Sequence, residues 1–428
     1  MNKLILAKIE KNDRTIQFIF QVSEHLRQFF SGQPFVIDYP EDVESVPDAI
    51  AAVPFVCNVL PIVWLTDSIL EIPELDEAFF RSIDEVRKGY EEMYPETEFR
   101  GEIKVGKIVP CDCPAVPGKC AMFYSGGVDS MDTLFRHLEE KPTLLSIWGS
   151  DIKFDNEAGW ELVHSAIEEA ASHYRLEELV IHSSFRAFDR EGALSRKFSR
   201  QLKDSWWHGV KHGIALLGHV APLAYLHGYE RMYIASSFCP DDGHVRCASD
   251  PHIDNHVRYA ACHVIHDGFE CSRQDKVCNI VSFSNRKNDY LPLHVCWESQ
   301  KGTNCCHCEK CYRTIAAIIA EGDNPEKYGF TGFEQYLEDM QSYVISHDDG
   351  RMYMRWPKIQ KGLIRNKNSV KKSSFWKYVR WIERADFSHP ETIKLPLSYR
   401  LKKAHSIRGK LAEFRFYQRL HDWKEKLK

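Results

Sequence analysis

CAMFYSGGVDSMDTLFRHLEE, Cys120–Glu140, decides the reading of the fold. CAMFY is a short apolar strand, SGGVDS is a turn, and SMDTLFRHLEE has the apolar spacing of a helix. Gly126 and Gly127 carry no Cβ, so their backbone admits a close-lying ligand. The helix that follows offers unpaired N–H groups and a partial positive charge at its start. Ser125 and Ser130 add hydroxyls, and Asp129 is placed to hold a Mg²⁺ accompanying an anion. Together these features predict a phosphate-binding turn. It is neither GxxxxGK[ST] nor GxGxxG, and no lysine lies within it. A capping turn with glycines for tight packing is the structural alternative.

The same alternation continues downstream. TLLSIW, ELVIHSS, RMYIASS and LPLHVCW read as strands. EAGWELVHSAIEEAASHY, KDSWWHGVKHGIALLGHVAPLAYLHG, RQDKVCNIVSF and EKCYRTIAAIIAEG read as the helices between and after them. This βαβα order predicts an α/β fold with a parallel sheet and helices on both faces. Upstream, residues 1–109 read as an N-terminal α+β domain. KLILAKIE and TIQFIFQV flank a KNDR turn as a hairpin, and Leu75–Tyr94 has helical spacing. Residues 110–118, rich in proline and cysteine, form the expected linker. Residues 119–322 are the expected nucleotide-binding domain, and 323–428 a basic helical C-terminal region ending in one long helix.

CWESQKGTNCCHCEKC places Cys296, Cys305, Cys308 and Cys311 at C-x8-C-x2-C-x2-C, a spacing that closes a tetrahedral zinc site. Cys306 is an alternative to Cys305, and iron–sulfur ligation an alternative to zinc. With every position filled by protein, the expected role is structural. Cys111, Cys113 and Cys120 match no metal spacing, and as thioester-forming nucleophiles they lack a histidine partner.

SGGVDS at a strand–helix junction resembles the signature of the PP-loop, N-type ATP pyrophosphatases. These enzymes split ATP between its α and β phosphates and adenylate an oxygen of the substrate. The resemblance implies a five-stranded parallel sheet, with Ser125, Gly126, Gly127, Asp129 and Ser130, and Val128 between them, holding the departing pyrophosphate. A late four-cysteine zinc knot after this turn resembles the 7-cyano-7-deazaguanine synthase-like branch, over roughly 119–322. With 1–109 and the tail outside that match, the chain is more similar to larger relatives from polysaccharide and anti-phage gene clusters. Relatives of this kind carry a basic residue at a later helix start, which implies Arg273 or Lys276 as a phosphate-neutralising catalytic group beside Asp129. The implied cofactors are ATP, Mg²⁺ and Zn²⁺. A looser similarity to muramoyl-dipeptide glutamate epimerases implies ATP-coupled epimerisation instead.

Substrate candidates lie after the strands, where an α/β sheet binds ligands. Asp151 reads as a ligand-facing carboxylate or a helix cap. Arg186 reads as a carboxylate fork or a solvated arginine. Ser236, Ser237, Asp250 and Asp254 lie in the loop after RMYIASS. His244, His252, His256, His263 and His266 crowd the same region as a possible second metal site.

The net charge of −5 hides an asymmetry. Residues 351–428 hold 22 Lys+Arg and 6 Asp+Glu, a balance of +16, and the preceding residues balance to −21. Trp376, Tyr378, Trp381, Phe414, Phe416, Tyr417 and Trp423 interleave with these cations. The tail therefore reads as a surface for an anionic partner, whether RNA, a membrane surface or an acidic protein, or as a helix docked on the body. A small-molecule or peptide carboxylate and a second copy in a homodimer complete the expected partners. A nucleic-acid modifying enzyme and an ATP-binding module without turnover are the other function classes. The absence of a leader and of any apolar run of about 18 residues predicts a cytoplasmic protein.

Overall fold

The computed structural model describes residues 2–296, 298, 303–347 and 350–395. They fall into two compact units, one running to His294 and the other from Val295 onward. The first unit is built on one sheet of eleven strands. These are β1 (Lys3–Asn12), β2 (Thr15–Val22), β3 (Phe35–Asp38), β4 (Ile69–Asp76), β5 (Glu102–Val109), β6 (Cys120–Phe123), β7 (Thr143–Trp148), β8 (Glu178–Ser183), β9 (Arg231–Ala235), β10 (Arg258–Tyr259) and β11 (Cys262–Asp267). Their spatial order is β10-β11-β9-β6-β7-β8-β3-β2-β1-β4-β5. Six of the ten neighbouring pairs are parallel.

The sheet corrects the expectation of a separate five-stranded one. Five parallel strands, β8-β7-β6-β9-β11, do lie side by side. But β3 pairs antiparallel with β8, Ile37 opposite Ser183, and carries β2, β1, β4 and β5 onto the same sheet. Residues 1–109 thus extend the sheet of the parallel block and share its core, in which Leu4, Phe35, Trp64, Ala121, Ile181 and Val264 belong to one apolar cluster. A strand edge left open at β8 is a template for pairing, and β3 covers it.

The fifth parallel strand also differs from expectation. LPLHVCW forms no strand among its described residues, whereas CHVIHD, within the histidine-rich stretch, is β11. Its alternating burial on a hydrogen-bonded neighbour decided that choice. The long helix expected after β8 is three pieces: a π-helical turn at Trp207–Lys211, then His212–His219 and Ala221–His227, with Pro222 opening the last. The expected helix near Leu75–Tyr94 runs Glu77–Met93, its start capped by Asp76, which accepts from the Phe79 N–H at 3.0 Å.

One glycine pins the sheet where the site is built. Gly149, just after β7, sits at φ +112°, and a Cβ there would lie 1.9 Å from the Ser183 carbonyl oxygen. Gly149→Ala is therefore expected to cost about 3 kcal/mol in urea denaturation. Gly243→Ala, also at positive φ (+73°) but with nothing within 4 Å, should cost about 1 kcal/mol. Equal losses in the two variants would contradict the close approach.

The second unit packs the helices Glu309–Ala320, Leu337–Ser346 and Met352–Arg365 around Tyr312, Ile315, Phe333 and Trp356. It includes the cysteine knot, which the sequence had grouped with the nucleotide-binding domain. Trp381 and Phe387 stack on Trp356 with ring centroids 5.5 and 6.0 Å away. Trp381 is thus a core ring of this unit, and Lys371 and Lys377 cover Trp376 and Tyr378. The long helix expected over the last residues, with Phe414, Phe416, Tyr417 and Trp423, lies outside the described residues. No helix among the described residues is long and apolar enough to cross a membrane.

Candidate nucleotide cleft and cysteine centre

β6 delivers the chain into the glycine turn and the helix Val128–His137. Gly126 adopts φ +70°, and a Cβ on it would press on the His294 ring at 3.2 Å. The His294 N–H donates to the Gly126 carbonyl at 2.8 Å and fixes the turn from outside. Within the turn, the Ser125 and Ser130 hydroxyls lie 3.2 Å apart, and the Ser125 N–H donates to Ser130 Oγ at 3.3 Å. Gly127 is the helix N-cap, and no side chain caps the first turn. A ten-residue helix thus starts without a side-chain cap, since its N-cap is a glycine. Val128 is fully buried, so only its backbone amide serves the turn.

Two cations converge on this helix start. Arg273 Nη1 donates to Asp129 Oδ2 at 2.7 Å, and Lys276 Nζ lies 3.5 Å from Asp129 Oδ1. Both project from the first turn of the helix Arg273–Lys287, three residues apart and so on one face. Ser272 and Asp275 form a capping box that fixes this helix start. Lys276 is 2% exposed and also donates to the Ser236 carbonyl. Behind them Asp132 is fully buried and accepts from Asn279 at 3.0 Å, and burial pushes its carboxyl up to about 6. Asp267, at the end of β11, takes Thr133 Oγ1 at 2.8 Å and His137 Nε2 at 3.0 Å. These polar ties lock the glycine-turn helix to β11.

A cleft of about 270 Å³ opens above the C-terminal ends of β6, β7 and β9. Strand order reverses between β6 and β9, the place where open α/β sheets bind ligands. Ser125, Asp129 and Ser130 line one side, Ser150 and Asp151 another, and Ser237, Cys247 and Ser249 a third. Ser146 Oγ and His212 Nδ1 are buried at its walls with no hydrogen-bond partner. Burial, with the His208, His266 and Arg186 charges, pushes His212 down to about 3, so it stays a neutral imidazole. It directly follows the π-helical turn, a distortion frequent at functional sites. Ser146, His212 and Cys247 were missed in the sequence. The His208/His212 spacing of four was visible there, but the π turn was not.

Of the substrate candidates, Asp151 and Ser237 face the cleft. Arg186 does not act as a free fork. Its guanidinium is held by Glu191 at 2.8 and 2.7 Å and by the Ser150 carbonyl at 2.9 Å, and it lies over Trp207 at 4.0 Å. Glu191, five residues on, supplies the carboxylate that a substrate was expected to bring. Ser236 is buried and donates to the Phe238 carbonyl. Asp250 caps a short helix through the His252 N–H. Asp254 is fully buried, accepting from Ser249 Oγ at 2.6 Å and facing His266 Nδ1 at 2.8 Å. Sequence spacing cannot tell a carboxylate capping its own loop from one turned to a ligand. The crowded histidines form no metal-ligand cluster among the described residues.

In the second unit the sulfurs of Cys296, Cys305, Cys308 and Cys311 all lie within 4.8 Å of one another. Cys296–Cys308 is 3.9 Å and Cys305–Cys311 is 3.8 Å. A tetrahedron with metal–sulfur bonds of about 2.3 Å has edges of about 3.8 Å. Cys306 turns away at φ +63°, its sulfur toward the Asn304 and Thr331 carbonyls at 3.5 and 3.7 Å. That settles the choice between the adjacent thiols in favour of Cys305. Cys308 is held down to about 5 by hydrogen bonds from its neighbours in the knot, the thiolate state that binds metal.

No family model, curated protein or solved structure matches the chain.

Proposed function

We propose that this protein is an ATP-dependent, AMP-forming enzyme that adenylates a carboxylate or carbonyl oxygen, with a structural zinc in the second unit. The observation that carries the reading is the uncapped glycine turn at the switch point, opening on a cleft that two cations flank. ATP suits the residues present. Its phosphates need amide donors, which the start of the helix Val128–His137 supplies. Its base and ribose need polar partners, and Ser146 Oγ and His212 Nδ1 are polar atoms at the cleft wall that have none of their own. Mg²⁺ at Asp129 suits less well, because both carboxylate oxygens face cations, and a metal there has to displace one of them. The four-cysteine geometry fits zinc, which gives the second unit a fixed knot and no open coordination position.

On this reading the turn aligns the phosphates. Arg273 and Lys276 neutralise charge that builds up as pyrophosphate departs, and the two loops bearing Asp151 and Ser237 present the substrate oxygen. A poor leaving group becomes a good one, and amide, nitrile or another acyl derivative follows from the nucleophile that attacks. The family resemblance points to the 7-cyano-7-deazaguanine synthase-like branch, whose parallel core the β8-β7-β6-β9-β11 block would represent within the larger sheet.

The test is incubation of the full chain with Mg²⁺, [α-³²P]ATP and a panel of carboxylates. Substrate-dependent AMP and pyrophosphate are expected, falling about 100-fold in Ser125→Ala. ADP in place of AMP overturns the mechanism. ATP binding without turnover on any carboxylate favours a module that binds ATP and recruits a partner.

A further inference from the structure

We infer that a second cavity, adjoining the cleft, binds a primary amine and presents it to His266 as the acceptor of the activated acyl group. The acceptor role rests on the adenylation reading, whereas the amine site stands on its own geometry. The cavity measures about 270 Å³. Ser249 lines both it and the cleft, and the consecutive residues Ser236 and Ser237 line one each. His266 lies in the cavity wall with 1% of its side chain exposed. Its Nδ1 faces Asp254 Oδ2 at 2.8 Å, and that oxygen also accepts from Ser249 Oγ at 2.6 Å. A carboxylate only accepts, so Nδ1 carries a hydrogen and the neutral ring keeps its lone pair on Nε2. Nε2 has no hydrogen-bond partner among the described residues. A buried acceptor in that state calls for a donor from a ligand.

The lining selects the kind of donor. Glu92 and Asp250 line the cavity, and no lysine or arginine is among the described residues that do. Asp250 also holds His252 Nδ1 at 2.8 Å, while Glu92 is exposed. Phe238 and Phe269 add aromatic wall, whose ring faces attract ammonium groups. An ammonium therefore meets an acceptor, carboxylates and rings, whereas a carboxylate or phosphate meets like charge. One water takes roughly 30 Å³ of liquid, so the cavity is far larger than ammonia needs and suits an organic amine. Another wall comes from the N-terminal region, where Gly89, Glu92 and Met93 lie in the helix Glu77–Met93. A Cβ at Gly89 would lie 2.1 Å from the His252 carbonyl oxygen, and His244 Nε2 donates to the Met93 carbonyl at 3.0 Å. Helix and loop are thus in direct contact, and residues 1–109 help to shape the amine site.

On the adenylation reading the step balances without an added oxidant or reductant. The ammonium passes one proton to His266 Nε2, which acts as general base. The freed nitrogen lone pair attacks the acyl carbon, a C–N bond forms, and the C–O bond to phosphate breaks with AMP taking the electron pair. The surplus proton on nitrogen and the one on His266 pass to water, and an amide remains.

The probe is phenethylamine, titrated calorimetrically into the full chain without ATP. Wild type is expected to bind one equivalent with a Kd of about 1 mM or below. 2-Phenylethanol, of the same shape but uncharged, should bind at least ~10-fold more weakly. His266→Asn keeps a donor for Asp254 but loses Nε2, and should weaken amine binding at least ~10-fold. Glu92→Gln, at an exposed position that cannot upset the fold, should weaken it about 3-fold. Circular dichroism checks that His266→Asn folds. No binding up to about 10 mM amine, equal binding of the alcohol, or binding unchanged in both variants overturns the inference. Displacement of the amine by Mg·ATP would put it in the cleft and overturn the inference too. In the ATP assay phenethylamine should appear as its amide, and AMP formed with the free acid alone overturns the acceptor role. Because amine binding needs no ATP, its failure counts against the cavity alone, and ADP formation counts against adenylation alone.

Discussion

Cys308→Ser is expected to abolish zinc binding at the proposed four-cysteine site and to lower the melting temperature of the second unit by about 10 °C or more. Cys308 sits at the centre of the knot. Its sulfur is 3.9 Å from that of Cys296, its N–H donates to Cys305 Sγ at 3.3 Å, and its residue is the N-cap of the helix Glu309–Ala320. Losing one of four ligands removes most of the affinity, and metal binding is folding free energy in small metal domains. The unit also has an apolar core around Tyr312, Phe333 and Trp356, so the loss is partial: about 3 kcal/mol for a unit of this size. Mass spectrometry of the native protein and a thermal scan give both numbers. Cys306→Ser is the control, because its sulfur faces the Asn304 and Thr331 carbonyls, so it should keep one zinc per chain. Zinc retained in Cys308→Ser and lost in Cys306→Ser would reverse the ligand assignment.

The two features read most directly from the sequence are local ones. SGGVDS carries the local signals of its turn, a glycine at positive φ and a helix start at Val128, although His294 fixes it from outside. The cysteine spacing likewise limits which sulfurs can meet. What the sequence hid is non-local. Nothing in Phe35–Asp38 announces that it pairs with β8, nearly 150 residues away, and that single pairing joins the N-terminal region to the parallel block. CHVIHD was hidden by its histidines, which suggest ligands, although its alternation fits a strand. Arg186 stayed open between a fork and a solvated arginine, because an arginine after a strand looks the same whether Glu191 or a substrate satisfies it. Ala248 and His208 lie 40 residues apart, and only the folded loop brings the Ala248 N–H to the His208 carbonyl.

Lys276→Met is expected to weaken ATP binding at least 30-fold and to reduce AMP formation by 100- to 1000-fold, the usual effect of losing one donor that meets developing charge. Lys276 and Arg273 share Asp129 but are not equivalent. Arg273 is a quarter exposed and can swing aside to follow a phosphate, whereas Lys276 is buried and anchored on the Ser236 carbonyl. Methionine keeps the stem and its packing but leaves that carbonyl without its ammonium donor and Asp129 with one cation fewer. A stability loss of about 2 kcal/mol should accompany the functional one, since Asp129 retains Arg273 and some solvent. Arg273→Met should differ in stability: a loss below about 1 kcal/mol, with catalysis still impaired. Calorimetric titration with Mg·ATP and urea denaturation of both variants separate the two roles. If Lys276→Met bound ATP as tightly as wild type, the cations would be serving Asp129 alone, and the paired charges would be a brace for the glycine turn instead of a receptor for phosphate.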